Sequence, residues 1–389
     1  MTGGLQGRPF VLYLIDSLAP GGAERSLVDM TPHLVAEGVG LEVAVLHDRP
    51  GLRYELESRG VRVHIIDGSS RLAWVSGVTR LLDRLRPDLL HTTLFESDLV
   101  GRTAAAFCRV PVVSTLASTP YGPEHATEPG LRKARLLAAR AADIATARVV
   151  RRFHAVSQAA ADACIVRMGL PRERVEVIPR GRDRTRLGEP SPGRRASARS
   201  QLGLSPEVPV VLAVARQQPQ KGLDLLLRAV PILLRDQPLT QLLVAGGEGR
   251  ATTDLSGIVA DLGIGNLVRF LGERQDVGDL LCAADVFVLP SRREGLPGAV
   301  LEAMAMEVPI VASDLPTVRE AVPDSEHAIL VPVEDPQALA LAVSRVLSDS
   351  AASADRARAA RARFERQFDI VSVSRAMARF YGAALARRT

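Results

Sequence analysis

"PRGRDRTRLGEPSPGRRASARS", residues 179–200, divides the chain. The segment is rich in arginine, glycine, proline and serine and has no apolar period, which is the composition of a linker. On either side of it, short apolar runs alternate with longer stretches of helical period. Strand candidates precede it at 9–16, 41–47, 61–67, 88–93, 110–116, 152–157 and 174–179. Others follow at 208–215, 241–247, 267–272, 284–291, 309–314 and 328–333. Continuous apolar strands separated by helices read as parallel sheets buried on both faces. Two such series predict an α/β protein of two doubly wound, Rossmann-like domains. The expected boundaries are an N-terminal domain at 1–180, a linker at 181–200, a second domain at 201–366 and a C-terminal helix at about 367–389. Ligands of such sheets bind beyond the carboxyl ends of the strands, so a cleft between the two sheets is the expected site.

Composition narrows the function. The 389 residues are 47% hydrophobic and 24% charged, the balance of a globular chain. Aromatics make up only 4%, too few for an evident stacking platform, so nucleic acid is not an expected partner. The net charge of +5 permits acidic ligands or a membrane surface. Lys133 and Lys221 are the only lysines; every other basic residue is arginine. Cys108, Cys164 and Cys282 are far apart in apolar segments and read as reduced thiols of a cytoplasmic protein. No run of about 18 apolar residues predicts a spanning helix, and the N-terminus lacks the pattern of a signal peptide.

The chemistry concentrates in "REGLPGAVLEAMA", Arg293–Ala305. Glu294 stands at the mouth of a strand-to-helix turn, and Glu302 lies about 7 Å along the helix axis. Pro297 suits the first helical position. The free amides and dipole of the helix end make a seat for phosphate. Three readings are open: an acid/base pair, two ligands of a metal or sugar, or two solvated glutamates of an ordinary helix. Nothing aims the two carboxylates at one bond, as hydrolysis of a glycoside requires. No Asp-x-Asp or histidine cluster accompanies them, so no metal site is expected. A long anionic ligand with hydroxyls at both ends fits the spacing. "VARQQPQKG" adds Arg216 and Lys221 at a strand end, where a guanidinium and an ammonium can neutralise a diphosphate. "GGEG" brings Gly246 and Gly247 to the next strand end. "SLAPGGAERSLVDM" places Gly21 and Gly22 before a helix in the first half. None of these is the Gly-x-Gly-x-x-Gly of a dinucleotide-dependent oxidoreductase.

Together and in this order, "GGAER", "VIPRGRD", "ARQQPQKG", "GGEG" and the Glu-x7-Glu segment resemble the retaining family 4 glycosyltransferases of GT-B fold. The resemblance spans nearly the whole chain. It implies two Rossmann-like domains with sheets facing a cleft and a last helix crossing back to the first domain. It implies a hexosyltransferase using a UDP-, GDP- or ADP-sugar donor, with no other cofactor and no metal. Glu302 is then expected to hold the donor ribose, and Glu294 the transferred sugar. Arg216 and Lys221 are expected on the diphosphate, approached by Gly21 and Gly22. Gly295, Leu296, Gly298 and Ala299 are expected to line sugar and phosphate, and the base to lie near Phe270 and Leu271. The acceptor, a glycan, a lipid-linked saccharide or a small molecule, is expected on the first domain. The basic helix near 131–153, with Arg132, Lys133, Arg135 and Arg140 at its start, reads as a plain surface helix or as a peripheral contact with the inner face of a membrane.

The chain departs from the family pattern at several positions. Ala117 stands where many members carry a histidine, and neither His91 nor His125 fits that slot. Glu307 replaces a glycine after the Glu-bearing helix, a place where the left-handed conformation is costly for glutamate. "SDLPTVRE" replaces an Asp-x-Gly-Gly turn, and Arg180 replaces an asparagine. Arg180, Arg182, Arg184 and Arg186 read as a solvated run or as a contact for an anionic acceptor. Ala117 and Glu307 leave open a sugar-nucleotide-binding protein with little transfer activity.

Overall fold

The computed structural model describes residues 8–49, 51–122 and 133–386. His125 and Arg132, and with them the loop before the basic helix, lie outside the described residues. The chain divides into two compact units, residues 1–181 with 370–389, and residues 182–369.

Unit 1 is built on a seven-stranded sheet. Its strands are β1 (Phe10–Ile15), β2 (Gly40–Val45), β3 (Val63–Ile65), β4 (Leu89–Thr93), β5 (Val112–Leu116), β6 (Arg152–Ala155) and β7 (Val175–Val177). They lie in the order β3-β2-β1-β4-β5-β6-β7, and every pairing is parallel. The apolar runs are continuous because both faces are covered. Val11, Tyr13 and Ile15 of β1 join one core with Leu27, Val28 and Leu34 of the helix Gly22–Ala36. Leu12 and Leu14 point the other way, into a core with Trp74, Val78, Leu81, Val100 and Phe153. The last helix, Ile370–Leu385, packs on the helix Gly22–Ala36 and buries Met377, Phe380 and Tyr381 in the first of these cores.

Unit 2 holds β8 (Val210–Val214), β9 (Gln241–Ala245), β10 (Val268–Gly272), β11 (Val286–Leu289), β12 (Ile310–Ser313) and β13 (Ile329–Val331). Their order is β10-β9-β8-β11-β12-β13, again all parallel. In each sheet the order reverses beside the first strand, between β1 and β4 and between β8 and β11. Such reversals open a crevice at the carboxyl ends, where ligands of doubly wound sheets bind.

The segment 181–200 differs from its linker reading. It forms the helices Arg184–Leu187 and Pro192–Gln201, the second capped by Ser191, whose hydroxyl accepts from the Arg194 amide. Its arginines are structural. Arg199 is 3% exposed and donates to the carbonyls of Ala283, Ser205, Pro206 and Val208 and to the Asp285 carboxylate. Arg182 is 2% exposed. A guanidinium that fills its donors with carbonyls and carboxylates can be interior, and apolar periodicity does not register it.

Candidate functional site

The β8–β11 crevice collects the charged residues of unit 2. β8 leads through Arg216 to a 3₁₀ turn, Pro219–Lys221, and then to the helix Leu223–Leu233. β11 leads through Ser291 to Glu294 and then to the helix Gly298–Ala305. The Lys221 Nζ donates to Glu294 Oε1 at 2.7 Å, and the Ser291 hydroxyl donates to the same oxygen at 2.7 Å. The Glu294 side chain is 8% exposed and that of Lys221 is 25% exposed, so the pair lies at the edge of solvent. Lys221 was expected on a diphosphate and Glu294 on a sugar; here each is the other's partner. Arg216 is exposed, and no hydrogen bond or ion pair of its side chain is seen among the described residues.

Glu302 is buried. Its Oε1 receives Arg186 Nη2 at 2.9 Å and faces Arg182 Nε at 3.2 Å. Gly298 stands one helical turn earlier on the same face, and a Cβ there would lie 1.7 Å from Arg182 Nη2. The glycine is required so that the Arg182 guanidinium can lie along the helix start and reach Glu302. Pro297 is the N-cap of this helix and Gly298 its first residue, one position later than the sequence reading. Gly295 and Ala299 flank this turn, and Leu296 is buried. At the helix end Glu307 does take the left-handed conformation, φ 56°, and its carboxylate lies 3.5 Å from Arg361 Nη1. The helix end therefore keeps the shape a glycine would give it.

Gly246 has φ 147°, and a Cβ on it would stand 2.0 Å from the Ala215 carbonyl oxygen. Its role is to let the end of β9 pass the end of β8. Gly247 accepts from the Gln217 amide at 3.0 Å. Phe270 and Leu271 are half-buried at the carboxyl end of β10, where the register with β9 shifts.

In unit 1, Gly21 precedes the helix Gly22–Ala36 in extended backbone. The Glu24 carboxylate lies against Gly21, with Oε2 2.3 Å from a would-be Cβ, and Arg180 Nη1 lies 2.7 Å from that of Gly22. Both glycines make room for charged side chains. His91 is fully buried; its ring bonds the Tyr381 hydroxyl and the Thr115 hydroxyl, both at 2.7 Å. Burial, then the neighbouring His154, holds its pKa well below the ordinary histidine value. The His154 ring bonds the Ile178 carbonyl at 2.8 Å and Thr115 at 3.1 Å, and burial brings its pKa down to about 4. These rings are core members.

The basic helix is described from Lys133 to Ala147. Lys133, Arg135 and Leu137 are exposed, whereas Arg140 turns inward to the Arg167 carbonyl at 2.8 Å. Sequence reasoning passed over Ser291, which bonds Glu294, and the Asp224–Arg292 pair beside the Lys221 turn, because a single serine, aspartate or arginine carries no spacing signal. Among the described residues no group of three or more His, Cys, Asp or Glu is placed to hold a metal. No described helix is long and apolar enough to cross a membrane.

Residues 208–349 match the family described as Glycosyl transferases group 1, and residues 20–186 the one described as Glycosyltransferase Family 4. The chain is 30% identical to a D-inositol 3-phosphate glycosyltransferase of Streptomyces griseus, over 94% of this chain and 85% of that one. Its structure is similar to that of Anabaena Alr3699/HepE in complex with UDP-glucose. The TM-score is 0.85, with 25% identity over 96% of this chain and 99% of the other. A sucrose-phosphate synthase from Thermosynechococcus elongatus shares the fold at TM-score 0.80 and 20% identity, over 97% and 99% of the two chains.

Proposed function

Because the chain belongs to the group 1, family 4 glycosyltransferases of GT-B fold, we propose that the β8–β11 crevice of unit 2 is its donor site. The observation that carries this reading is the Lys221–Glu294 pair at the mouth of the helix Gly298–Ala305, with Glu302 one turn further in. The ligand is a nucleotide-diphosphate hexose, with UDP as the base-bearing half. The Anabaena neighbour's complex with UDP-glucose supports that choice over GDP and ADP.

Glu302 accepts from the ribose hydroxyls with the oxygen that Arg182 and Arg186 leave to it. Arg216, Lys221 and the amides at Gly298 and Ala299 face the diphosphate. Phe270 and Leu271 flank the base. Glu294 accepts from a hydroxyl of the sugar, its charge balanced by Lys221 until the donor arrives. As the C1–O bond to the diphosphate lengthens, negative charge grows on the phosphate and positive charge on the sugar ring. A fixed ammonium on one side and a fixed carboxylate on the other lower that barrier. With the acceptor hydroxyl attacking from the leaving-group side, the departing phosphate takes its proton and the anomeric configuration is retained. No metal is required for these steps.

The acceptor is a saccharide, a lipid-linked saccharide or a polyol held by unit 1. The Streptomyces relative, named for D-inositol 3-phosphate, supports a polyol. The protein is cytoplasmic and meets the inner membrane face through Lys133, Arg135 and Leu137. Pelleting with anionic vesicles at low salt and release at high salt is the result expected; no pelleting at low salt sinks the membrane contact.

Ligand-observed NMR over a panel of UDP-, GDP- and ADP-sugars, followed by transfer assays with candidate acceptors, tests the whole reading. Binding without turnover across a broad acceptor panel would instead favour a sugar-nucleotide-binding protein. Glu302→Gln should weaken donor binding, and Glu294→Gln should mainly slow transfer. Normal binding and rate in both variants would remove the donor site from this crevice.

A further inference from the structure

Lys221 and Glu294 belong to different loops, so their 2.7 Å contact depends on how those loops are held. One side chain, that of Arg292, ties them together. The Arg292 amide donates to the Gln220 carbonyl at 2.9 Å. Its Nη1 donates to the Pro219 carbonyl and to Asp224 Oδ1, both at 2.7 Å. Its Nη2 donates to Asp224 Oδ2 at 2.8 Å and to Glu334 Oε2 at 3.0 Å, while Nε donates to the other oxygen of Glu334. One guanidinium thus joins the loop after β8, the first turn of the helix Leu223–Leu233, its own loop after β11 and the loop after β13. A planar fork with five donors can do this; a lysine cannot.

Glu334 adopts φ 65°, a left-handed conformation costly for a glutamate, and its carboxylate is spent on Arg292. Burial raises the Asp224 carboxyl, but the two hydrogen bonds and charge of Arg292 hold it below its ordinary value. The strain and the pairing both converge on the turn that ends in Lys221. Strain retained beside a reacting centre points to positioning.

We propose that Arg292 is a positioning residue of the transfer reaction: it fixes the Pro219–Lys221 turn against the Ser291–Glu294 segment, and so sets where the ammonium meets the departing diphosphate. The inference rests on the donor-site reading above. All three guanidinium nitrogens of Arg292 donate to Pro219, Asp224 or Glu334.

The test compares the unaltered protein with Arg292→Gln, Arg292→Lys and Asp224→Asn by three readouts: UDP affinity by calorimetry, kcat and KM for transfer, and amide hydrogen exchange. In Arg292→Gln, kcat should fall about 10–100-fold, the range a displacement near 1 Å costs. UDP affinity should change less than about threefold. Amides of residues 218–222 should exchange at least roughly tenfold faster, with those of β8 and β11 unchanged. Arg292→Lys should restore part of kcat, and Asp224→Asn should reproduce the pattern at smaller size if Arg292→Gln fails to fold. Equal losses in affinity and kcat, an unchanged kcat, or unaltered exchange at 218–222 would overturn the proposal. Absence of UDP binding by the unaltered protein sinks the donor-site reading instead, and the exchange data still decide whether Arg292 holds the turn.

Discussion

At the carboxyl side of the second sheet, Lys221, Glu294, Arg292 and Asp224 form ion pairs that solvent reaches. The same side of the first sheet carries Tyr13, Thr93, His91, Thr115 and His154, all buried and joined by hydrogen bonds between neutral groups. The strand order reverses at both places. Topology supplies a crevice in each unit; residue chemistry decides whether it takes charge. Charged groups near solvent can exchange protein partners for ligand partners. A buried neutral network has no such freedom, because each lost bond strands a polar atom.

If that contrast holds, Glu294→Gln should have the largest effect. The amide keeps the volume and a bond to Ser291, so the protein should fold, while transfer falls about 10²–10³-fold. A rate within threefold of the unaltered protein would break the comparison on the charged side. Gly298→Ala should come next. Its methyl drives Arg182 off the helix start, which should cost roughly 1–3 kcal/mol in a urea titration. It should also loosen UDP binding through Glu302.

On the neutral side, Tyr381→Phe removes one of the two hydroxyl partners of His91. The expected result is a stability loss of about 1–3 kcal/mol with unchanged UDP affinity. Altered affinity without a change in stability would give the first sheet a ligand role instead.

Acid tests the same network. His154, lowered from 6.5 to about 4 by burial, contributes stability that is complete above pH 6.5 and is lost as pH falls toward 4. Asp98, outside that network and paired with Thr92 and Arg102, runs the other way. Burial raises it from 3.8 to about 7, against the charge of Arg102, so its contribution is present below pH 3.8 and is lost as pH rises through 7. Asp98→Asn should therefore steepen the loss of stability between pH 6.5 and 4, measured by urea unfolding. The ring shifts of His154 should stay those of a neutral imidazole down to pH 5. The smallest change is expected from Glu307→Gly. Relief of the left-handed backbone should stabilise by up to about 1 kcal/mol, less whatever the Arg361 contact contributes.

The strands were legible because both faces of each sheet are covered, which leaves runs such as "FVLYLI" without polar interruption. Lys221, Glu294 and Glu302 stand out in the sequence because they interrupt such runs, the first two after strand ends and the third inside a helix. Residues 181–200 were not. Arg182 and Arg199 do the work of core side chains while reading as solvated charge. Glu307 misled in the same way, since a left-handed residue can be held by its surroundings as well as by its own preference. The partnership of Lys221 with Glu294 was out of reach, because it depends on where two loops 73 residues apart are brought together.

Unit 1 is discontinuous in sequence: its last helix, Ile370–Leu385, comes after the whole of unit 2. On the ribosome, Val11, Tyr13 and Leu27 are made early, but Met377, Phe380 and Tyr381, which complete their core, emerge some 200 residues after the first stretch of unit 1 ends at residue 181. At 5–20 residues per second that is a wait of roughly 10–40 s. Through that interval the nascent first unit carries an uncovered apolar face while unit 2 is made, and unit 2 has every strand it needs by residue 331, before the last helix begins. Unit 2 is therefore complete before unit 1 is, because of where one helix is encoded.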